Sequence, residues 1–106
     1  EPVGIMATDE IKKGDAVIRC CVEGKVKEYK IRITKTDKHT KEENKGLEIK
    51  VTDPELLEIT GGIIQGMSGA PILQNGKIAG AVTRVFVNDP ARGYGIFIEN
   101  MLKHVE

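Results

Sequence analysis

Aromatic residues are scarce in this sequence. Its 106 residues include no tryptophan, and Tyr29, Tyr94, Phe86 and Phe97 are its tyrosines and phenylalanines. Four rings make a poor stacking surface for single-stranded nucleic acid. Net charge is also lacking, since 16 Lys plus Arg balance 16 Asp plus Glu. A general nucleic-acid binder carries a basic excess, so no nucleic-acid partner is expected. No apolar run approaches the roughly 18 residues that a spanning helix needs. No signal peptide is visible at Glu1-Pro2-Val3-Gly4, and Glu1 is not an initiator residue, so the chain is expected to be a piece of a longer protein. Cysteine is confined to the adjacent pair Cys20 and Cys21. Neighbours on a strand point to opposite faces, so a bridge between them would be strained. One buried and one exposed thiol is the expectation. The spacing of a four-ligand zinc site is missing.

What remains is an ordinary globular mixture, 40% hydrophobic and 30% charged, in a length suited to one domain. With so few rings the core must be aliphatic. Twelve glycines imply many tight turns and a β-rich fold. Val3 to Ala7 reads as a short first strand. Asp9 to Asp15 is polar, with Lys13-Gly14-Asp15 as a turn. Ala16 to Val22 is a compact apolar run, and Glu23-Gly24 offers a hairpin turn. In Lys25 to Thr36, Tyr29, Ile31 and Ile33 alternate with Lys30, Arg32 and Thr34, which is a strand with one dry face.

Asp37 to Gly46 contains no apolar residue and reads as a solvated loop. Leu47, Ile49 and Val51 alternate with Glu48, Lys50 and Thr52 as a further half-buried strand. Asp53-Pro54-Glu55 then starts a short helix near residues 54–60: Asp can cap, Pro suits the first position, and Glu favours the positive end. Leu56, Leu57 and Ile59 would be its apolar face, and Gly61-Gly62 would stop it. Asn75-Gly76 between the apolar runs Ile72-Leu73-Gln74 and Lys77 to Val87 is a strong hairpin signal. Asn88 to Gly93 reads as a turn-rich loop before Tyr94 to Ile98, and Glu99 to Glu106 as a short frayed helix. Six to eight strands against little helix make the fold class all-β, mainly antiparallel.

The stretch Gly66-Met67-Ser68-Gly69-Ala70-Pro71 carries the most chemistry. Small residues on both sides of Ser68 let the backbone turn sharply and expose the hydroxyl. Glycines at 66 and 69 leave room for a substrate carbonyl, and peptide N–H groups in such a turn can stabilise an oxyanion. The following hairpin would hold the loop rigid. The plainer reading is an ordinary glycine-serine turn, and spacing alone favours it.

Gly66 to Pro71 resembles the nucleophile loop of chymotrypsin-like serine peptidases. Thr60-Gly61-Gly62-Ile63-Ile64-Gln65 before it, Gln74-Asn75-Gly76-Lys77-Ile78 and Val85-Phe86-Val87-Asn88-Asp89-Pro90 after it, and Arg92-Gly93-Tyr94-Gly95-Ile96-Phe97-Ile98-Glu99 make the likeness more specific. Together they resemble the stage IV sporulation protein B peptidase family, densely from Thr52 to Leu102 and more loosely from Glu1 to Val51. The resemblance implies a serine endopeptidase of an endospore-forming bacterium that cleaves itself and a regulatory partner in signalling across the forespore membranes. It implies that residues 1–106 are the C-terminal lobe of a chymotrypsin-like double β-barrel, a barrel of six to eight strands. The parent would be membrane-anchored and exported across the inner forespore membrane, with an anchor and a PDZ domain outside this soluble segment. Membrane contact would come only through those absent segments.

Carried over residue by residue, Ser68 matches the nucleophile and Asp53 the triad aspartate. Gly66 and the Ser68 backbone N–H match the oxyanion hole. The general-base histidine belongs to a preceding segment, for neither His39 nor His104 matches it, and both read as solvent-exposed. No metal or other cofactor is implied. Without a base, Ser68 would be a poor nucleophile, so the chain alone is expected to be inactive. Its expected partners are a protein or peptide substrate, the preceding histidine-bearing lobe, and a second copy as a homodimer. An isolated lobe is expected to expose an apolar cleft face. Two departures stand out: Ala70 occupies a frequent serine position, and Arg84 a frequent histidine position. Asp53 also has a plain role as a helix cap, and one residue can serve as both. A non-catalytic β-barrel peptide-binding module is the alternative reading. A weaker third is a metal site on His39, Glu42 and Glu43.

Overall fold

In the computed structural model the described residues are 4–22, 24–37, 41, 45–55, 58, 69–86 and 89–102; for Cys20, Cys21, Val22, Val85 and Pro90 the description covers the backbone alone. Six strands, β1 (Gly14–Val22), β2 (Lys25–Thr36), β3 (Leu47–Val51), β4 (Pro71–Gln74), β5 (Lys77–Phe86) and β6 (Asp89–Phe97), close into a barrel in the order β1-β2-β3-β6-β5-β4. Every pairing is antiparallel. The all-β class expected from the alternating patterns, and the barrel implied by the family resemblance, are therefore the fold. Closure also removes the unpaired edges that an open sheet would present.

The period-two pattern of β2 maps directly onto burial. Tyr29, Ile31 and Ile33 are buried while Lys30 and Arg32 between them are exposed. β3 repeats the arrangement with Leu47, Ile49 and Val51 inside. These residues meet Ile18 of β1, Ile72 of β4, Val82 of β5 and Phe97 in one core cluster. Each such side chain contributes about 1.5–3 kcal/mol by leaving water. The core is aliphatic, with Tyr29 and Phe97 as its largest members. The β4–β5 hairpin turns at Asn75 (φ 54°) and Gly76 (φ 77°), the paired positive φ values that Asn-Gly tolerates best. A Cβ on Gly80 would run into the Ile96 carbonyl oxygen, so the close approach of β5 to β6 requires glycine there.

The N-terminal segment differs from the expected first strand. Among its described residues it forms a single bridge, Ile5 with Ile78, flanked by Met6 N–H donating to the Ile78 carbonyl (2.8 Å) and Ile78 N–H to the Gly4 carbonyl (2.8 Å). Thr8–Glu10 then forms a 3-10 turn. Ile11, inside the stretch read as polar, is buried in the core beside Met6. Gln74 fixes this segment: its Nε2 donates to the Lys12 carbonyl (2.8 Å), and its Oε1 accepts from Lys12 N–H (3.2 Å). β1 also begins two residues earlier than its apolar run, at Gly14.

Asp89 to Gly93 is strand rather than loop. Gly93 and Arg92 pair with Ile49 and Lys50 of β3, so a distant neighbour overrides local turn composition. The chain continues into a short helix, α1 (Ile98–Leu102), of which Ile98 is buried. Leu56, Leu57, Ile59 and the residues after Leu102 lie outside the described set. So do the Cys20 and Cys21 side chains. Among the described residues, the exposed large hydrophobics are Ile5, Val26 and Leu102, on three different elements of the chain.

Candidate active site

Asp53 leaves β3 two residues past Val51 and is anchored to β2. Its N–H donates to the Lys30 carbonyl (3.0 Å), and its Oδ2 accepts from the Lys30 N–H (3.0 Å). Thr52 N–H donates to the same carbonyl (3.1 Å). The other carboxylate oxygen, Oδ1, accepts from Glu55 N–H (2.9 Å), the bond of a capping aspartate. Pro54, Glu55 and Glu58 are helical, in agreement with the expected helix start. Glu55 is tied to β2 as well, by a 2.8 Å ion pair with Lys27. The carboxylate is half-buried and held at both oxygens by main-chain donors.

The segment that follows Ser68 is built onto the barrel. Gly69 N–H donates to the Val82 carbonyl (2.6 Å), and Val82 N–H donates to the Ala70 carbonyl (2.9 Å). Gly69 takes φ 92°, which a residue with a Cβ adopts only under strain. Ala70 is half-buried against the core cluster, and its carbonyl bond is independent of the side chain. Gly66 and Ser68 themselves lie outside the described residues, as do His39, His104, Glu42 and Glu43. Among the described residues no group of His, Cys, Asp and Glu is placed to hold a metal ion. Arg84 is exposed on β5, opposite Tyr94 of β6.

A surface groove of about 580 Å³ reaches this region. Lys30 and Thr52, the immediate neighbours of Asp53 in space and in sequence, line it together with Val17, Arg19, Glu28 and Leu73. Sequence patterning did not single out Lys30, whose peptide group organises the Asp53 turn, because the contact joins residues 23 apart.

The family model for the SpoIVB peptidase S55 family matches residues 1–102. The chain belongs to that family. Comparison with curated protein sequences gave no match. Among solved structures, the active form of the Rv3671c protease from M. tuberculosis matches with a TM-score of 0.68 and 19% sequence identity. The match covers 99% of this chain and 47% of that one, so the S55 chain spans about half the length of that protease structure. At that identity the likeness establishes the fold: one barrel lobe of the chymotrypsin-like type. This S55 lobe has no helix long and apolar enough to cross a membrane among its described residues.

Proposed function

We propose that this chain is the nucleophile-bearing lobe of a serine endopeptidase, with Ser68 as nucleophile and Asp53 as triad acid. Gly66 and the Ser68 N–H supply the oxyanion hole. The general-base histidine comes from a preceding lobe of the same protein, so this segment alone is inactive. The reading rests first on membership of the S55 peptidase family across residues 1–102. Two features of the barrel agree with it. Asp53 is fixed at both carboxylate oxygens by backbone donors, which holds its side chain in one orientation. Gly69 and Ala70 are pinned to Val82, which gives the preceding loop a rigid base.

In mechanism, the base takes the Ser68 proton as the hydroxyl oxygen attacks the scissile carbonyl. Asp53 orients the imidazole and stabilises its charged form. Peptide N–H groups of the 66–68 turn receive the developing oxyanion. The parent acts in sporulation signalling, cleaves itself and a regulatory partner, and is anchored and exported by segments outside residues 1–106. The partner of the isolated lobe is its missing half or a second copy. In the complete protein, Ser68→Ala should abolish self-cleavage and peptide hydrolysis while the fold is retained; full activity of that variant would overturn the assignment.

One observation favours the alternative of a peptide-binding module. Both Asp53 oxygens already serve the turn, so a cap role accounts for this residue without catalysis. In that case Ser68→Ala leaves the activity of the complete protein unchanged.

A further inference from the structure

The registers of β2, β3 and β6 place three cations side by side. Arg32 is opposite Lys50, and Lys50 is opposite Arg92. The flanking residues Ile31, Ile33, Ile49 and Val51 are buried, so the row lies on the outer face of the barrel. Strands are about 4.8 Å apart, and like charges directly opposite one another repel. Lys30, two residues from Arg32, and Arg84, opposite Tyr94, extend the same face. Lys30, Lys50, Arg84 and Arg92 have no carboxylate within ion-pair distance among the described residues, and Arg32 meets only the highly exposed Asp15, at 3.5 Å. In a chain of zero net charge, this accumulation is a matter of placement and not of composition.

We propose that this outer face docks an extended acidic segment of a partner protein. Charge complementarity sets the sign of the occupant, and barrel curvature sets its shape. The cation row spans two of the six inter-strand steps of a closed barrel, so a flexible chain can follow it where a flat bilayer meets only part of it. The aromatic residues here are already engaged. Phe86 and Tyr94 pack on each other with centroids 4.7 Å apart, Lys45 sits 5.3 Å from the Tyr94 centroid, and Arg92 sits 6.0 Å from that of Phe86. Each ring of this pair therefore already has an aromatic and a cationic neighbour. The proposal does not depend on the peptidase reading, because it concerns binding and not turnover.

The test is a titration of the 106-residue chain into a fluorescent Glu-rich peptide of about ten residues, long enough to cross the face. Phosphatidylglycerol vesicles and a single-stranded oligonucleotide serve as competing polyanions. Binding should be seen at low salt and fade as salt rises to about 0.3 M. The double variant Lys50→Glu, Arg92→Glu should bind about tenfold more weakly. Lys13→Glu, Lys25→Glu makes the same change in net charge away from the row and should bind as the parent does. Thermal melts of both variants establish that they are folded, and Lys50→Gln, Arg92→Gln repeats the test with a smaller charge change. Equal losses in the two Glu double variants, no binding to the peptide at low salt, or tighter binding to vesicles or oligonucleotide would each overturn the proposal.

Discussion

Lys30 and Asp53 clasp each other through the main chain. The Lys30 N–H donates to Asp53 Oδ2, and the Asp53 N–H donates back to the Lys30 carbonyl, both at 3.0 Å. The pair closes the exit of β3 onto β2 and aims the start of the following helix. Asp53→Asn replaces one carboxylate oxygen with an NH₂ group facing an N–H donor. The expected loss of stability is about 1 kcal/mol, read from a denaturant midpoint of this chain. In the complete protein the same substitution should lower kcat by orders of magnitude, more than a stability loss of that size explains.

Gly80 tests the close packing of β5 on β6. A methyl group there meets the Ile96 carbonyl oxygen, which is backbone, and comes within 3.1 Å of Leu47 Cδ1. Gly80→Ala should destabilise the barrel by about 1–3 kcal/mol in chemical denaturation.

The hairpin at Asn75-Gly76 makes a smaller and separable prediction. Gly76→Ala places a Cβ at φ 77° with no atom within 4 Å of it, so backbone strain alone is added. The expected cost is about 1–2 kcal/mol. Asn75→Gly should be close to neutral, since both residues accept this conformation.

Lys50 sits between Arg32 and Arg92, and Lys50→Glu turns two repulsions into two attractions. The melting temperature should rise by a few degrees, in line with cross-strand pair energies of about 0.2–1 kcal/mol. A stabilising substitution that weakens binding to an acidic peptide would mark Lys50 as retained for contact and not for folding.

β2 and β3 were legible because each carries its own period-two pattern, and the burial of Tyr29, Ile31, Ile33, Leu47, Ile49 and Val51 follows it residue by residue. The Asn75-Gly76 turn was legible because backbone conformation there depends on two adjacent residues. The beginning of β6 was not, because Arg92 and Gly93 become strand by pairing with residues 42 and 44 positions earlier. Ile11 was hidden by charged neighbours, and its burial depends on the Gln74 amide drawing its segment onto the barrel. The cation row could not be read either, since it exists only once the β2–β3 and β3–β6 registers are both fixed. Of the candidate site, Asp53 and its capping turn were visible locally, whereas the clasp to Lys30 is a tertiary contact.

The central claim is that Ser68 is a nucleophile whose base lies in the preceding lobe. The most direct measurement is labelling with a serine-reactive fluorophosphonate probe, on this chain and on a longer chain that includes the preceding lobe. Peptide mapping should place the label on Ser68 in the longer chain and find none on this one. An unlabelled Ser68 in the longer, folded chain would contradict the claim and leave the peptide-binding module as the account of this barrel.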